Sequence, residues 1–181
     1  MLTPLLTQSL APSLDSLLPQ VARCCIAWLL LAAGVGKLRS YGAFRDNLAT
    51  SFSVPPAAAT VAAPALVAAE LLLAGWLLAG GADLPMLLSL LLLGTLTAVL
   101  AYRYFTHSVV RCSCFGEAAR PVSHYDLLRN VLVVGINGAY FAFAPGAALP
   151  MATGVLAAGL AAIVCVATIS LHDIATLAKA D

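Results

Sequence analysis

The segment AAATVAAPALVAAELLLAGWLL, residues 57–78, decides the fold. Its only charged residue is Glu70, and the rest is mainly Ala, Leu and Val. A helix that crosses a bilayer needs about 20 mainly apolar residues. Backbone groups in lipid must be hydrogen-bonded within the protein, and the segment lacks the alternating pattern of a membrane strand. The segment therefore predicts a transmembrane helix that carries one carboxylate.

Similar apolar segments recur along the chain. Hydrophobic residues make up 62% and charged residues 9% of the sequence, whereas a soluble domain has about 25% charged residues. We therefore predict an all-α, multi-pass transmembrane helical bundle of about five spans in contact with the lipid bilayer, in the plasma membrane of a bacterium. No basic segment with interleaved aromatic residues suggests nucleic-acid binding. The predicted spans are 21–38, 57–78, 84–104, 125–144 and 150–177.

The first 20 residues differ from the rest of the chain. Residues 1–20 contain three prolines and no Lys or Arg, so they lack the positive n-region of a signal peptide. We expect a loose or interfacial segment here. Residues 21–181 are predicted to form a single transmembrane helical domain, with a polar loop at 105–124 between the third and fourth spans.

The connections between spans predict the topology. Glycine- and proline-containing turns at 80–83 and 144–146 are short, whereas the connections 39–56 and 105–124 are long. With five spans, both long connections lie on one face of the membrane together with the C-terminus. Of the basic residues in the sequence, only Arg23 lies on the other face. The positive-inside rule then favours the cytoplasm for the long connections. Exchange with extracytoplasmic disulfides would instead place this face in an oxidising compartment, and both placements stay open. The basic residues on the face of the long connections are Lys37, Arg39, Arg45, Arg103, Arg111, Arg120, Arg129 and Lys179.

The loop at 105–124 contains RCSCFGE, residues 111–117, with two cysteines one residue apart. A Cys-x-Cys dithiol can close a strained disulfide, which is easily reduced and suits thiol–disulfide exchange. Arg111 precedes the pair and favours the nucleophilic thiolate. Cys112 and Cys114 are therefore the candidate catalytic residues. The other three cysteines lie in apolar runs, where free cysteine packs as a small hydrophobe: Cys24, Cys25 and Cys165.

Two other interpretations of the cysteine pair stay open. Zinc binding would need two further ligands, which His107 and His124 in the same loop could supply. The usual zinc knuckle has a two-residue gap, however, and neither histidine stands at a typical ligand spacing. In the third interpretation, Cys112 and Cys114 are loop cysteines with no role.

Several polar residues fall within the predicted spans. A carboxylate at Glu70 is expensive in lipid and is a functional candidate by default, although a structural contact between helices explains it equally well. Pairing with Lys37 or Arg129 would lower its cost, while Lys37 could instead snorkel to the membrane surface. Arg129 and Asn130 open the fourth span, where they would anchor the helix end or orient the loop. Asn137 continues a polar stripe that should face the bundle interior.

These motifs together resemble the MauE family, the methylamine-utilisation membrane proteins within the wider DoxX-like set of redox-associated membrane proteins. The resemblance lies in RCSCFGE, in PVSHYDLLRN at 121–130, in AAGVGKLRS at 32–40 and in Glu70. It extends over residues 22–177. It implies a small helical bundle that works with thioredoxin-like partners, and MauE itself is associated with maturation of the disulfide-rich small subunit of methylamine dehydrogenase. By position, Cys112 and Cys114 would be the redox pair, with Glu70, Arg129 and Asn130 as supporting polar residues.

Our first hypothesis is a membrane thiol–disulfide oxidoreductase or its accessory, which exchanges electrons with a thioredoxin-like protein and passes them to or from a membrane quinone. The alternative is a non-enzymatic assembly or structural subunit of a larger membrane complex, with zinc or a fixed disulfide in its loop. A transporter that uses Glu70 is a third hypothesis, although the sequence has no evident inverted repeats. The supporting polar residues of the first hypothesis are Arg111, Glu70, Arg129, Asn130 and Lys37.

Overall fold

The computed structural model of the protein describes residues 3–80, 83–106, 122–142 and 151–170. These ranges are helical apart from short connections, which confirms the predicted all-α class. The segment predicted to be loose, residues 1–20, has a helical backbone from Thr3 onward, and its place at the membrane surface stays a prediction. The helices within the described ranges are α1 (Thr3–Arg39), α2 (Tyr41–Ser51), α3 (Pro56–Leu78), α4 (Asp83–Thr106), α5 (His124–Ala142) and α6 (Met151–Ile169).

In the part of the chain that the structure describes, three helical segments are long and apolar enough to cross a membrane: Leu17–Arg39, Pro56–Leu78 and Asp83–Thr106. A shorter apolar helix covers Ala157–Ile169. Three of the five predicted spans are thus confirmed by length and composition, whereas the predicted number of five is not. The helix α5 carries charged residues in its first two turns, which reduces its mean hydropathy. The predicted fifth span continues to 177, beyond the described residues.

Large apolar side chains on the outside of the bundle fit contact with lipid. The side chains of Leu72 and Ile163 are 73% and 68% exposed. Such surface is unfavourable in water but is solvated by acyl chains. The exposed positions lie on several helices, so lipid contact is expected around much of the bundle.

The helix α1 lies at the centre of the bundle and packs against α3, α5 and α6. Its side chains Ile26 and Leu30 are buried in the main hydrophobic cluster, together with Leu77 of α3 and Met86 of α4. The small residue Ala161 of α6 is fully buried in the same cluster. In lipid the hydrophobic effect does not drive helices together, and small side chains instead let helices approach closely and pack.

The sequence of the fifth predicted span contains small residues at four-residue spacing, Gly154, Ala158 and Ala162, but the face that is buried in the structure is displaced from them by one residue. The buried face of α6 contains Ala157, Ala161 and Cys165. The neighbouring positions Ala158 and Ala162 are only half-buried. Both sets have four-residue spacing, so periodicity alone does not decide which one faces α1.

The connection 39–56 contains a helix that the sequence analysis did not predict. The helix α2 packs on α3, with Phe44 buried against Ala63 and Val67. After α2 the chain is held by Arg103 of α4, which donates a hydrogen bond to the carbonyl oxygen of Phe52. The helix α3 then begins at Pro56, whose fixed φ suits the first helical position. This connection therefore covers one end of the bundle.

Buried polar contacts join α4 and α5. The Asn137 side chain is fully buried, and its carboxamide accepts hydrogen bonds from Ser89 Oγ at 2.8 Å and from Leu90 N at 3.1 Å. Its amino group donates to the carbonyl oxygen of Met86 at 3.2 Å. This confirms that the polar stripe of α5 faces the bundle interior. Near the other end of α5, the Tyr140 hydroxyl donates to Asp83 Oδ1 at 3.1 Å.

The helices α1 and α3 approach each other closely at Gly34. A β-carbon added to Gly34 would lie 2.7 Å from Leu71 Cδ2 and 3.7 Å from Glu70 Cβ. The absence of a side chain therefore allows α1 to rest directly on the turn of α3 that carries Glu70. One turn later, Lys37 lies on the same face of α1 as Gly34, because residues three apart are neighbours on a helix.

We expect Gly34→Val to destabilise the protein by about 1–3 kcal/mol, because the added methyl groups force α1 away from Leu71. The matched control is Gly94→Val in α4, where an added β-carbon meets no atom within 4 Å. Thermal unfolding of the purified protein in detergent measures both effects. Equal melting temperatures for the two variants would contradict the proposed close approach.

Candidate functional site

The centre of the candidate site is a buried ion pair between α1 and α3. Lys37 Nζ lies 2.6 Å from Glu70 Oε1 and 2.7 Å from Glu70 Oε2. The two residues are 4% and 1% exposed. Of the two predicted partners for Glu70, the structure therefore selects Lys37. The alternative that Lys37 snorkels to the membrane surface is wrong, because its ammonium group is turned inward to the carboxylate.

Local sequence explains how the pair forms. Lys37 lies in the last turn of α1, where a cation is favoured by the partial negative charge of the helix C-terminus. The Phe44 ring of α2 lies 5.6 Å from Lys37 Nζ, within the range of a cation–π contact. Glu70 comes from the middle of α3 and is brought within reach by the close approach at Gly34. Three helices thus converge on one ammonium group.

Burial makes this pair sensitive to the loss of either partner. Removing two charges from water carries a desolvation cost, and the attraction between the charges offsets that cost only when their geometry is good. Here Lys37 donates to both carboxylate oxygens, so the carboxylate is well satisfied. An isolated charge at either position would be left in a low-dielectric interior.

The polar residues at the start of α5 form a separate group. The Asp126 carboxylate accepts a hydrogen bond from Ser123 N at 2.9 Å, which is one half of a capping box. Arg129 Nη1 lies 3.7 Å from Asp126 Oδ1, and both side chains are buried. Both contacts lie in the first turns of α5 and stabilise the start of the helix that follows the cysteine-bearing segment. The expected role of Arg129 in anchoring the helix end stays a prediction, and the sequence analysis did not identify Asp126 or Ser123.

Two pockets meet at Lys37. A pocket of about 50 Å³ includes Glu70 and Thr97 in its walls. A second pocket of about 170 Å³ lies under α2 and includes Phe44 and Asn47. Both are also lined by Lys37, Leu96 and Asn130. Of the predicted supporting residues, the structure thus brings Lys37, Glu70 and Asn130 together.

Both pockets were missed by the sequence analysis. Their floor is formed by predicted spans, but their cover is α2 and the connection after it. The only sequence signal was the paired spacing of Phe44 and Asn47, which lie three residues apart and are both buried. A three-residue spacing over an 11-residue helix is too short to reveal which face is covered.

The predicted redox pair lies outside the described residues. Arg111, Cys112, Cys114 and His107 belong to the segment between α4 and α5 for which the structure gives no description. The catalytic and zinc assignments therefore stay predictions. The fourth candidate ligand, His124, is exposed at the start of α5, with its ring centroid 4.0 Å from that of Tyr125. Among the described residues, no group of three or more His, Cys, Asp or Glu side chains could hold a metal ion.

The remaining cysteines confirm the packing interpretation. Cys24, Cys25 and Cys165 are free thiols. Cys25 and Cys165 are buried in the main hydrophobic cluster, and Cys24 packs against it. Their surroundings are apolar, which is typical of structural rather than reactive thiols.

We expect Lys37→Met and Glu70→Met to destabilise the protein by about 3–5 kcal/mol each, because each leaves an unpaired buried charge. The double variant should recover most of that loss, since two apolar side chains of similar volume then face each other. Thermal unfolding in detergent of the two single variants and the double variant measures the coupling.

The exposed ion pair of Arg45 and Asp46 provides the control. Its side chains are 46% and 67% exposed, at an N–O distance of 3.0 Å. Arg45→Gln and Asp46→Asn should change stability by less than about 1 kcal/mol, because solvent screens this pair. Additive effects of Lys37→Met and Glu70→Met, with no recovery in the double variant, would be incompatible with a coupled buried pair.

Comparison with known families is consistent with this architecture. The family model described as methylamine utilisation protein MauE matches residues 15–144, from α1 to the end of α5. The similarity is thus supported as far as residue 144, and not for α6. Searches of curated proteins and of solved structures gave no significant match. The match covers well over half of the chain, and we conclude that this helical membrane protein belongs to the MauE family.

Proposed function

We propose that the protein is a thiol–disulfide redox protein of the bacterial plasma membrane that exchanges electrons with a thioredoxin-like partner. The observation that carries this proposal is the pair Cys112 and Cys114, separated by one residue and preceded by Arg111. An adjacent cation favours the thiolate, and a short loop between the cysteines favours an easily reduced disulfide. The MauE family supplies a context in methylamine utilisation.

The exchange proceeds in two steps. One thiolate of the pair attacks a disulfide of the partner, so that a mixed disulfide forms and a partner thiolate leaves. The second cysteine then attacks the mixed disulfide, which releases the partner as a dithiol and leaves Cys112 and Cys114 joined. The pair has lost two electrons and two protons, which the partner has gained. The reverse sequence oxidises the partner.

The described structure supports this proposal through the attachment of the loop. The segment 107–121 is bounded by the end of α4 at Thr106 and by the start of α5 at His124. The start of α5 is capped by the contact of Asp126 with Ser123, and α5 packs against α4. The cysteine-bearing segment thus joins two helices of the packed bundle, which suits repeated exchange with a partner at one membrane surface.

A lipid-soluble quinone is the electron carrier that we propose for the membrane side of the reaction. Oxidation of the Cys112–Cys114 dithiol to a disulfide releases two electrons and two protons. A quinone takes up both and becomes a quinol, so atoms and electrons balance. The protein would thus connect a soluble dithiol or disulfide to the membrane quinone pool.

The other hypotheses receive less support from the structure. A transporter was suggested by an intramembrane carboxylate, but Glu70 is engaged by both oxygens with Lys37. This ion pair accounts for Glu70 without a transported solute. A structural subunit with zinc or a fixed disulfide in the loop makes a different prediction for the loop thiols, and the same experiment separates it from the redox proposal.

We expect either Cys112→Ser or Cys114→Ser to trap a mixed disulfide with a thioredoxin-like protein whose own resolving cysteine has been changed to serine. Only one cysteine of each pair then remains, so the intermediate cannot be resolved. Non-reducing electrophoresis and mass spectrometry of the adduct identify the bonded cysteines. The Cys165→Ser variant is the matched control and should trap nothing, because both loop cysteines are still present.

A reducing agent should cleave the mixed disulfide. The double variant Cys112→Ser, Cys114→Ser should form no adduct. The redox proposal fails if neither single variant forms an adduct while the unmodified protein binds stoichiometric zinc. That result would favour the structural subunit with a metal in its loop.

A further inference from the structure

The larger pocket beside Lys37 has the size and polarity of a ligand site. Its volume of about 170 Å³ exceeds that of the roughly 150 Å³ apolar protein cavity that binds a benzene ring. Most of its wall is apolar, including Leu66, Leu96 and Leu100. Such a space accepts one six-membered ring and excludes a bulky polar molecule.

The polar part of the pocket wall consists of one ammonium group and two carboxamide groups. Among the described residues, Lys37, Asn47 and Asn130 line this pocket, and no acidic residue does. Glu70 lines only the smaller neighbouring pocket. The larger pocket therefore faces the ammonium side of the ion pair and not the carboxylate. Ammonium and amide N–H groups are hydrogen-bond donors, so they favour a ligand with carbonyl oxygens.

We propose that this pocket binds the head-group ring of a lipid-soluble quinone, an inference that rests on the proposed redox function. The ring lies against the leucine side chains, and the Asn130 carboxamide donates a hydrogen bond to a quinone carbonyl oxygen. The positive charge of Lys37 stabilises the oxygen as it gains electron density during reduction. The isoprenoid tail leaves the bundle toward the lipid.

The position of the pocket agrees with this role. Leu100 lies six residues before the end of α4 at Thr106, and Asn130 lies six residues after the start of α5 at His124. At 1.5 Å per residue, each helix end is about 9 Å from the pocket along the helix axis. Two of the helices that line the pocket, α4 and α5, are the helices that the cysteine-bearing segment joins. Electron transfer between a dithiol and a bound quinone needs such proximity.

A third pocket, at another place in the bundle, provides an internal comparison. This pocket, of about 210 Å³, is lined by apolar residues together with Cys25 and Tyr140, and it includes Ala139. It is larger than the pocket beside Lys37, but none of the described residues in its wall carries a charge or a carboxamide. An acyl chain needs no polar wall and would prefer this third pocket. The donor groups of the larger pocket beside Lys37 therefore favour a quinone there.

The test is equilibrium binding of a ubiquinone with a decyl tail to the purified full-length chain in detergent, followed by calorimetry. We expect Leu96→Trp to reduce the affinity at least tenfold, because the indole fills the pocket. Asn130→Leu should also weaken binding, by about tenfold, since it removes the donor while keeping a similar volume. Ala139→Trp, which fills the third pocket, should leave the affinity unchanged.

Thermal unfolding checks that each variant is folded, and Val99→Phe replaces Leu96→Trp if that variant does not unfold cooperatively. Unchanged affinity in the pocket-filling variant, or equal loss in Ala139→Trp, overturns the proposal. Competition by decane at equal concentration would also overturn it, because the site would then recognise an acyl chain rather than the ring.

The double serine variant of Cys112 and Cys114 separates this inference from the proposed function. Its quinone affinity should equal that of the unmodified protein, because the described walls of the pocket contain neither cysteine. Normal mixed-disulfide trapping without quinone binding would reject the quinone site alone. Quinone binding without any trapping would reject the thiol exchange and leave the pocket assignment standing.

Discussion

The structure depends on the buried ion pair between Lys37 and Glu70. The pair fixes the register of α1 against α3, and it is possible only because Gly34 lets the two helices touch one turn earlier. In lipid there is little hydrophobic drive for helix association, so close packing and polar contacts must provide it. A buried pair also penalises alternative packings that would separate the charges. The small residue, the cation and the carboxylate thus act as one unit.

The same pair organises the end of the bundle where the cysteine-bearing segment is attached. Phe44 of α2 packs over Lys37, and the connection after α2 is held to α4 through Arg103. These contacts close a pocket whose wall is apolar except for Lys37, Asn47 and Asn130. At the opposite end, Asp83 and Tyr140 join α4 to α5.

The sequence was sufficient to predict the helical membrane class and the polar residues of the site, because charges are rare in an apolar chain. It did not decide between Lys37 and Arg129 as partner of Glu70, since that choice depends on which helix faces meet. Arg129 was a plausible partner by position, but it pairs with Asp126 three residues earlier in the chain.

The helix α2 and the pocket under it could not be predicted, because they arise from tertiary contacts of a short polar connection. The proposed redox chemistry belongs to residues beyond this packed core, the pair Cys112 and Cys114. Alkylation of the protein in native membranes equilibrated with glutathione buffers of graded redox potential tests it. We expect both thiols to change together from alkylated to protected, reversibly, as the buffer becomes oxidising. Thiols that stay alkylated at every potential, or that become accessible only after zinc chelation, would contradict it.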